Sequence, residues 1–168
     1  MKHIVYIALC FALLQPGIVS AQACVPGFYE FNSYGDYTIH RSTVLKCMKW
    51  LVKKPLHRNV QLRSEVEGYC MKWLCGHPHI KIELLTKQVP YLDRNPQLLY
   101  VYLSKWVLLS LEEPDLPVME KHLRATKAVL KLAAKSKGLV EDETLIKLIH
   151  NWRSGDLPEW AAQSLTMG

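Results

Sequence analysis

The sequence predicts an all-α, single-domain fold: a bundle or helical-repeat-like array of five to six helices behind an irregular N-terminal arm. Three observations carry this. Apolar residues recur at helical spacing in several separate windows. The windows close on helix stops, at Pro55, at Gly76 with Pro78, at Gly138 and at Gly155. One stretch, QLLYVYLSKWVLLSL over 97–111, is apolar nearly all round, as a central buried helix must be. An apolar content of 49% excludes intrinsic disorder, and the length suits one domain with a core of its own.

The first residues carry a single Lys2, an apolar run from Ile4 to Leu14, the breaker Pro16-Gly17 and then small residues. That is the anatomy of a secretory signal peptide spanning 1–21, and its apolar run is too short to anchor in a bilayer. The protein is therefore expected to be secreted or periplasmic, with no transmembrane helix in the mature chain. Cleavage after Ala23 is the alternative, and it would expose Cys24 as a lipid-attachment residue. Ala21 stands where such signals favour a larger aliphatic side chain.

Residues 22–41, rich in Gly, Tyr and Phe without helical period, read as the arm, and 42–168 as the helical domain. Val44, Met48, Leu51 and Val52 begin the first helix, which Pro55 closes. The second runs from about Val60 to Cys75, with Leu62, Val66, Tyr69, Cys70, Trp73 and Leu74 inward, and Gly76 placed for a left-handed cap. His79 to Leu85 alternates and fits either a short strand or the entry to a helix. Asn95-Pro96 starts the apolar helix. Asp115 opens a fourth to about Lys137, with Met119, Leu123, Val129, Leu130 and Ala133 inward. Glu141 and Asp142 suit the start of a fifth, ending before Gly155. A short last turn surrounds Trp160.

A five-residue repeat, CMKWL, occurs at 47–51 and 70–74. The offset is too short for the common helix-pair repeats, and the tryptophans read as packing residues that close the apolar faces of two helices. Four cysteines follow the signal, Cys24, Cys47, Cys70 and Cys75, an even count that suits two disulfides in an oxidising compartment. In an antiparallel hairpin Cys47 lies about 7 Å from the turn and Cys70 about 15 Å, so that pair is marginal; Cys47 with Cys75 is worse, and Cys24 is freest to reach a partner.

Cys70, Cys75, His77 and His79 put four borderline or soft ligands within ten residues, a candidate metal cluster. Their spacing matches no Cys-x-x-Cys or His-Glu-x-x-His pattern. No nucleophile elbow, P-loop or dinucleotide fingerprint occurs, so no catalytic residue is assigned and no cofactor is called for.

Charge is more informative. The chain carries 21 Lys and Arg against 15 Asp and Glu, and loss of Lys2 leaves a net charge of +5. No acid occurs from Tyr37 to Ser64, where Lys49, Lys53, Lys54, Arg58 and Arg63 stand among the basic residues; Arg124, Lys127, Lys131 and Lys135 form a second strip on the fourth helix. Such faces bind anionic polymers or membrane surfaces. Nucleic acid is disfavoured as a partner by the exported location.

Trp50-Leu51, Pro55, Arg63, Trp73, Gly76-x-Pro78 and Asn95-Pro96 with Leu98, Leu99 and Tyr102 together resemble a family of small secreted Bacteroidetes proteins of unassigned function. The resemblance covers most of the mature chain. It implies an envelope or secreted location and an all-helical fold, and it carries over no catalytic or ligand residue. The functional expectation is a non-catalytic binding module whose partner is an envelope protein or an anionic surface or polymer. The alternative is a small enzyme or metal protein built on Cys70, Cys75, His77 and His79.

Overall fold

The computed structural model describes residues 25–82, 84 and 88–166. The expected signal peptide over 1–21 and Cys24 lie outside the described residues. Six α-helices follow in order, α1 (Tyr34–Lys53), α2 (Val60–Gly76), α3 (Leu99–Glu112), α4 (Val118–Ala133), α5 (Glu143–Ser154) and α6 (Leu157–Thr166), and no strand occurs among the described residues. The expected all-α bundle is therefore the fold, and no helix among those residues is long and apolar enough to cross a membrane. The undecided segment is neither strand nor helix at residues 79–82 and 84.

α1 starts eight residues before Ser42, inside the stretch that composition marks as irregular. Ser33 and Asp36 account for the early start. The Asp36 carboxylate accepts from the backbone N–H groups of Ser33 (2.7 Å) and Asn32 (2.9 Å), fixing the first turn, and these bonds hold its carboxyl below the usual range. The residues before Ser33 lie on the α1–α2 pair: Tyr29 meets Tyr69 edge-on at 4.7 Å, and Phe31 stacks on Tyr37 at 5.4 Å.

α1 and α2 form an antiparallel hairpin. Trp73 Nε1 donates to Tyr37 O (3.1 Å), Tyr69 pairs with His40 (2.9 Å), and Arg63 donates to Leu51 O (3.2 Å) and to Lys54 O. Arg63 also meets Glu67 at 3.1 Å and lies over the Trp50 ring at 5.5 Å. Arg63 is buried and Glu67 half-buried. Arg63 thus belongs to the interior, where it ties up the carbonyls that end α1, and not to the basic surface.

Gly76 does not take a left-handed cap; it is the last residue of α2, and the backbone after it is extended. Its role is steric, because a Cβ there would run into the Tyr37 hydroxyl. Gly155 does cap α5 with φ +98°, and Asp142 caps the start of that helix through Thr144 N (2.9 Å) and Leu145 N (3.3 Å).

α3 packs mainly against α1 and α4, as its sequence requires, and its middle is buried from Val101 to Ser104 and from Trp106 to Leu109. Asn95 enters this helix through a 3₁₀ turn, Pro96–Leu98, without capping it by side chain. Its amide instead holds Val140 at both N (2.8 Å) and O (3.0 Å), pinning the α4–α5 link to the start of α3. On α4 the inward face is His122, Ala125, Thr126, Val129, Leu130, Leu132 and Ala133, while Met119 is exposed. α6 is a helix of 10 residues that closes the bundle against α4 and α5.

Candidate functional site

The basic strip of α4 meets one lysine of the first strip, Lys53, in a single groove. α1 brings Val52 and Lys53 to it and α3 brings Lys105. α4 contributes Arg124, Lys127, Ala128, Lys131 and Leu132, with Lys135 just beyond its end. The volume is about 560 Å³. Its floor is apolar through Val52, Ala128 and Leu132, and its rim is cationic.

The charges on that rim are not equivalent. Arg124 is matched by Glu120 (2.7 Å) and Glu113 (3.0 Å), and those bonds, Glu120 first, raise its pKa further. Lys53, Lys105, Lys127, Lys131 and Lys135 have no carboxylate within ion-pair distance among the described residues. Like charges four apart on a helix, such as Lys127 and Lys131, cost about 0.2–0.5 kcal/mol. Part of that cost at Lys131 is offset by the helix C-terminus, whose carbonyl end favours a cation.

Of the sequence-based candidates, Lys53, Arg124, Lys127, Lys131 and Lys135 line this groove. Lys49 does not: its ammonium pairs with Glu112 at 2.7 Å. Lys54, half-buried, gives its carbonyl to Arg63, and Arg58 stands exposed in the α1–α2 loop. Lys105 also lines the groove and is not among the sequence-based candidates. The available signal was that it is the one charge inside an otherwise apolar helix.

The cysteine and histidine candidates separate. Cys70 is buried in the α1–α2 seam with its Sγ 4.0 Å from Val44 O, whereas Cys75 is exposed. His77 packs on Trp73 at 4.4 Å, and burial first, then the charges of His79 and Arg41, lower its pKa. His79 is exposed beside Tyr34. No three His, Cys, Asp or Glu side chains among the described residues form a metal-ligand group. Five residues along a helix turn Cys70 and Cys75 to different faces, which is why proximity in sequence does not become a site. Cys47, Cys70 and Cys75 are free thiols.

A buried polar chain, unanticipated from the sequence, lies between α3, α4 and α6. His122 is wholly buried; its Nδ1 is 2.9 Å from Tyr102 Oη and its Nε2 3.0 Å from Ser164 Oγ. Ser164 Oγ donates to Ala161 O at 2.8 Å, so the imidazole proton sits on Nε2 and Tyr102 donates to Nδ1. A general base would need the reverse direction at the serine, and both groups are sealed from solvent. The chain serves to satisfy polar groups inside the core, and burial pushes the His122 pKa down to about 4.

No protein-family model, curated protein or solved structure matches this chain.

Proposed function

We propose that the protein is an exported binding module that takes an anionic, partly apolar ligand of the lipid class in the groove between α1, α3 and α4. One observation carries this reading: five lysines from three separate parts of the fold, none matched by a carboxylate among the described residues, converge above an apolar floor. Lysine stems cover apolar surface while their ammonium groups stay in water, so such a groove suits a molecule with a phosphate-bearing head and a hydrocarbon portion. The signal-like N-terminus and the resemblance to secreted envelope proteins support a location where anionic headgroups are present. A soluble anionic polymer shares the charge but has no use for the floor of Val52, Ala128 and Leu132.

The test is sedimentation of the mature protein with phosphatidylglycerol vesicles and, in parallel, phosphatidylcholine vesicles. Binding is expected for the first and not the second, weakening as salt rises. With about 1 kcal/mol per basic residue at an anionic surface, the K127E/K131E/K135E variant should bind at least about 100-fold more weakly while keeping its helical spectrum. Equal binding by wild type and variant would remove the groove from consideration. Retention on heparin without vesicle binding would point to a polymer instead.

A further inference from the structure

The two copies of CMKWL do more than end two helices alike. α1 and α2 run antiparallel, and the six-residue loop 54–59 carries the start of α2 past the end of α1, so that Arg63, not Val60, lies level with Leu51 and Lys54. Seven residues, two turns, further along α2 comes Cys70, which on this register falls level with Val44 and Cys47. The hairpin estimate that separates these cysteines by several ångströms along the axis neglects the overhang of the loop. Cys47 and Cys70 are only 1% and 2% exposed, Cys70 Sγ lies 4.0 Å from Val44 O one turn from Cys47, and each thiol shifts the ionisation of the other.

We infer that Cys47 and Cys70 are an oxidisable dithiol whose disulfide staples α1 to α2. This proposal is independent of the groove, which neither side chain lines. The oxidant is a disulfide-bearing compound or protein, the class that supplies oxidising equivalents to exported chains. Cys47 as thiolate attacks one sulfur of that disulfide, forming a mixed disulfide and expelling one thiolate, which takes up the proton Cys47 lost. Cys70 then loses its proton, attacks the Cys47 sulfur and expels the second thiol. Two protein thiols become one disulfide, and the external disulfide becomes two thiols, a two-electron exchange in balance.

The exchange balances equally with the roles of Cys47 and Cys70 reversed. The depth of the pair sets the timing: the reaction belongs to the folding chain or to an opened hairpin, before α2 closes over it. Cys75, exposed at the far end of α2, is not part of the pair.

Peptide mapping tests the pairing directly, because the basic residues cut between the cysteines. The mature protein is refolded in a glutathione redox couple, blocked with iodoacetamide after unfolding and digested with trypsin. The expected product is CMK (residues 47–49) joined to SEVEGYCMK (residues 64–72), lighter by two hydrogens than the sum of the two, with Cys75 on a separate peptide. Reduction should lower the Tm by roughly 10 °C, and the C75A variant should keep that sensitivity. Recovery of Cys47 and Cys70 as alkylated thiols, or joined to other cysteines, would overturn the assignment. The mapping uses the unaltered chain, so its outcome does not depend on a C47A/C70A variant folding; where that variant folds, its Tm should be indifferent to reductant.

Discussion

Arg63 and the lysines of the groove carry the same charge and meet opposite treatment. Arg63 is inside, and its guanidinium is claimed by Leu51 O, Lys54 O, Glu67 and the Trp50 ring. Lys53, Lys105, Lys127, Lys131 and Lys135 line one groove and have no acidic partner among the described residues. Where a cation serves the fold, this chain surrounds it with acceptors; the groove lysines are left to solvent or to the proposed ligand. Arginine suits the interior position, because a planar fork reaches two carbonyls and a carboxylate together, which an ammonium group cannot do.

Removing Arg63 is the largest perturbation available to this comparison. R63A leaves the half-buried Glu67 without its partner and strips two carbonyls at the end of α1, and it is expected to cost about 3 kcal/mol in urea unfolding. R63K should recover only part of this, because an ammonium cannot span the same acceptors. Vesicle binding of the fraction that remains folded should be unchanged. A loss under about 1 kcal/mol for R63A would show that its cation is as expendable as a surface lysine.

The next effect belongs to the neutral counterpart of Arg63, the buried His122. Its folded pKa of about 4 lies below the ordinary 6.5, so the unfolded chain takes up a proton that the folded one refuses. Its contribution to stability is therefore complete above about pH 6.5 and is lost as the pH falls from there toward 4. The groups facing it are Tyr102, Ser164 and the Trp160 ring, none of which can offset an imidazolium charge by ion pairing. Wild-type unfolding free energy should drop by about 2–3 kcal/mol across that window relative to H122N. Parallel pH profiles for the two proteins would place the sensitivity elsewhere.

Much of this arrangement is written locally. The apolar 97–111 stretch, the acids before α5 and the glycine after it act within a few residues, so α3 and α5 are legible. The inward face of α4 is displaced from its expected position because His122 and Thr126 are polar by type and enter the core through partners on other helices. α1 begins early because Ser33 and Asp36 outweigh the glycines and tyrosines beside them. Half the groove is visible in the sequence as Lys53 and the α4 strip, but their meeting, and the arrival of Lys105, depend on how α1 and α4 pack on α3. Arg63 is misplaced by sequence for the same reason: two of its acceptors are the carbonyls of Leu51 and Lys54, which leave no mark among side-chain types. The Cys47–Cys70 register is hidden in a loop whose overhang no helical period reports.

The smallest expected effect separates the two treatments of charge most cleanly, because fold and function should move in opposite directions. Lys127 sits in the body of α4, four residues before Lys131 and exposed, and glutamine has nearly the same helix propensity. K127Q should therefore raise unfolding free energy by a few tenths of a kcal/mol at low salt through relief of repulsion, a gain that fades as salt screens the groove. The same change should weaken binding to phosphatidylglycerol vesicles about 5-fold, the loss of roughly one lysine's share. A stabilised protein that binds less well would mean that unmatched charge is held in the groove for a ligand. Stability gained without any loss of binding would mean that this lysine serves only to keep the surface hydrated.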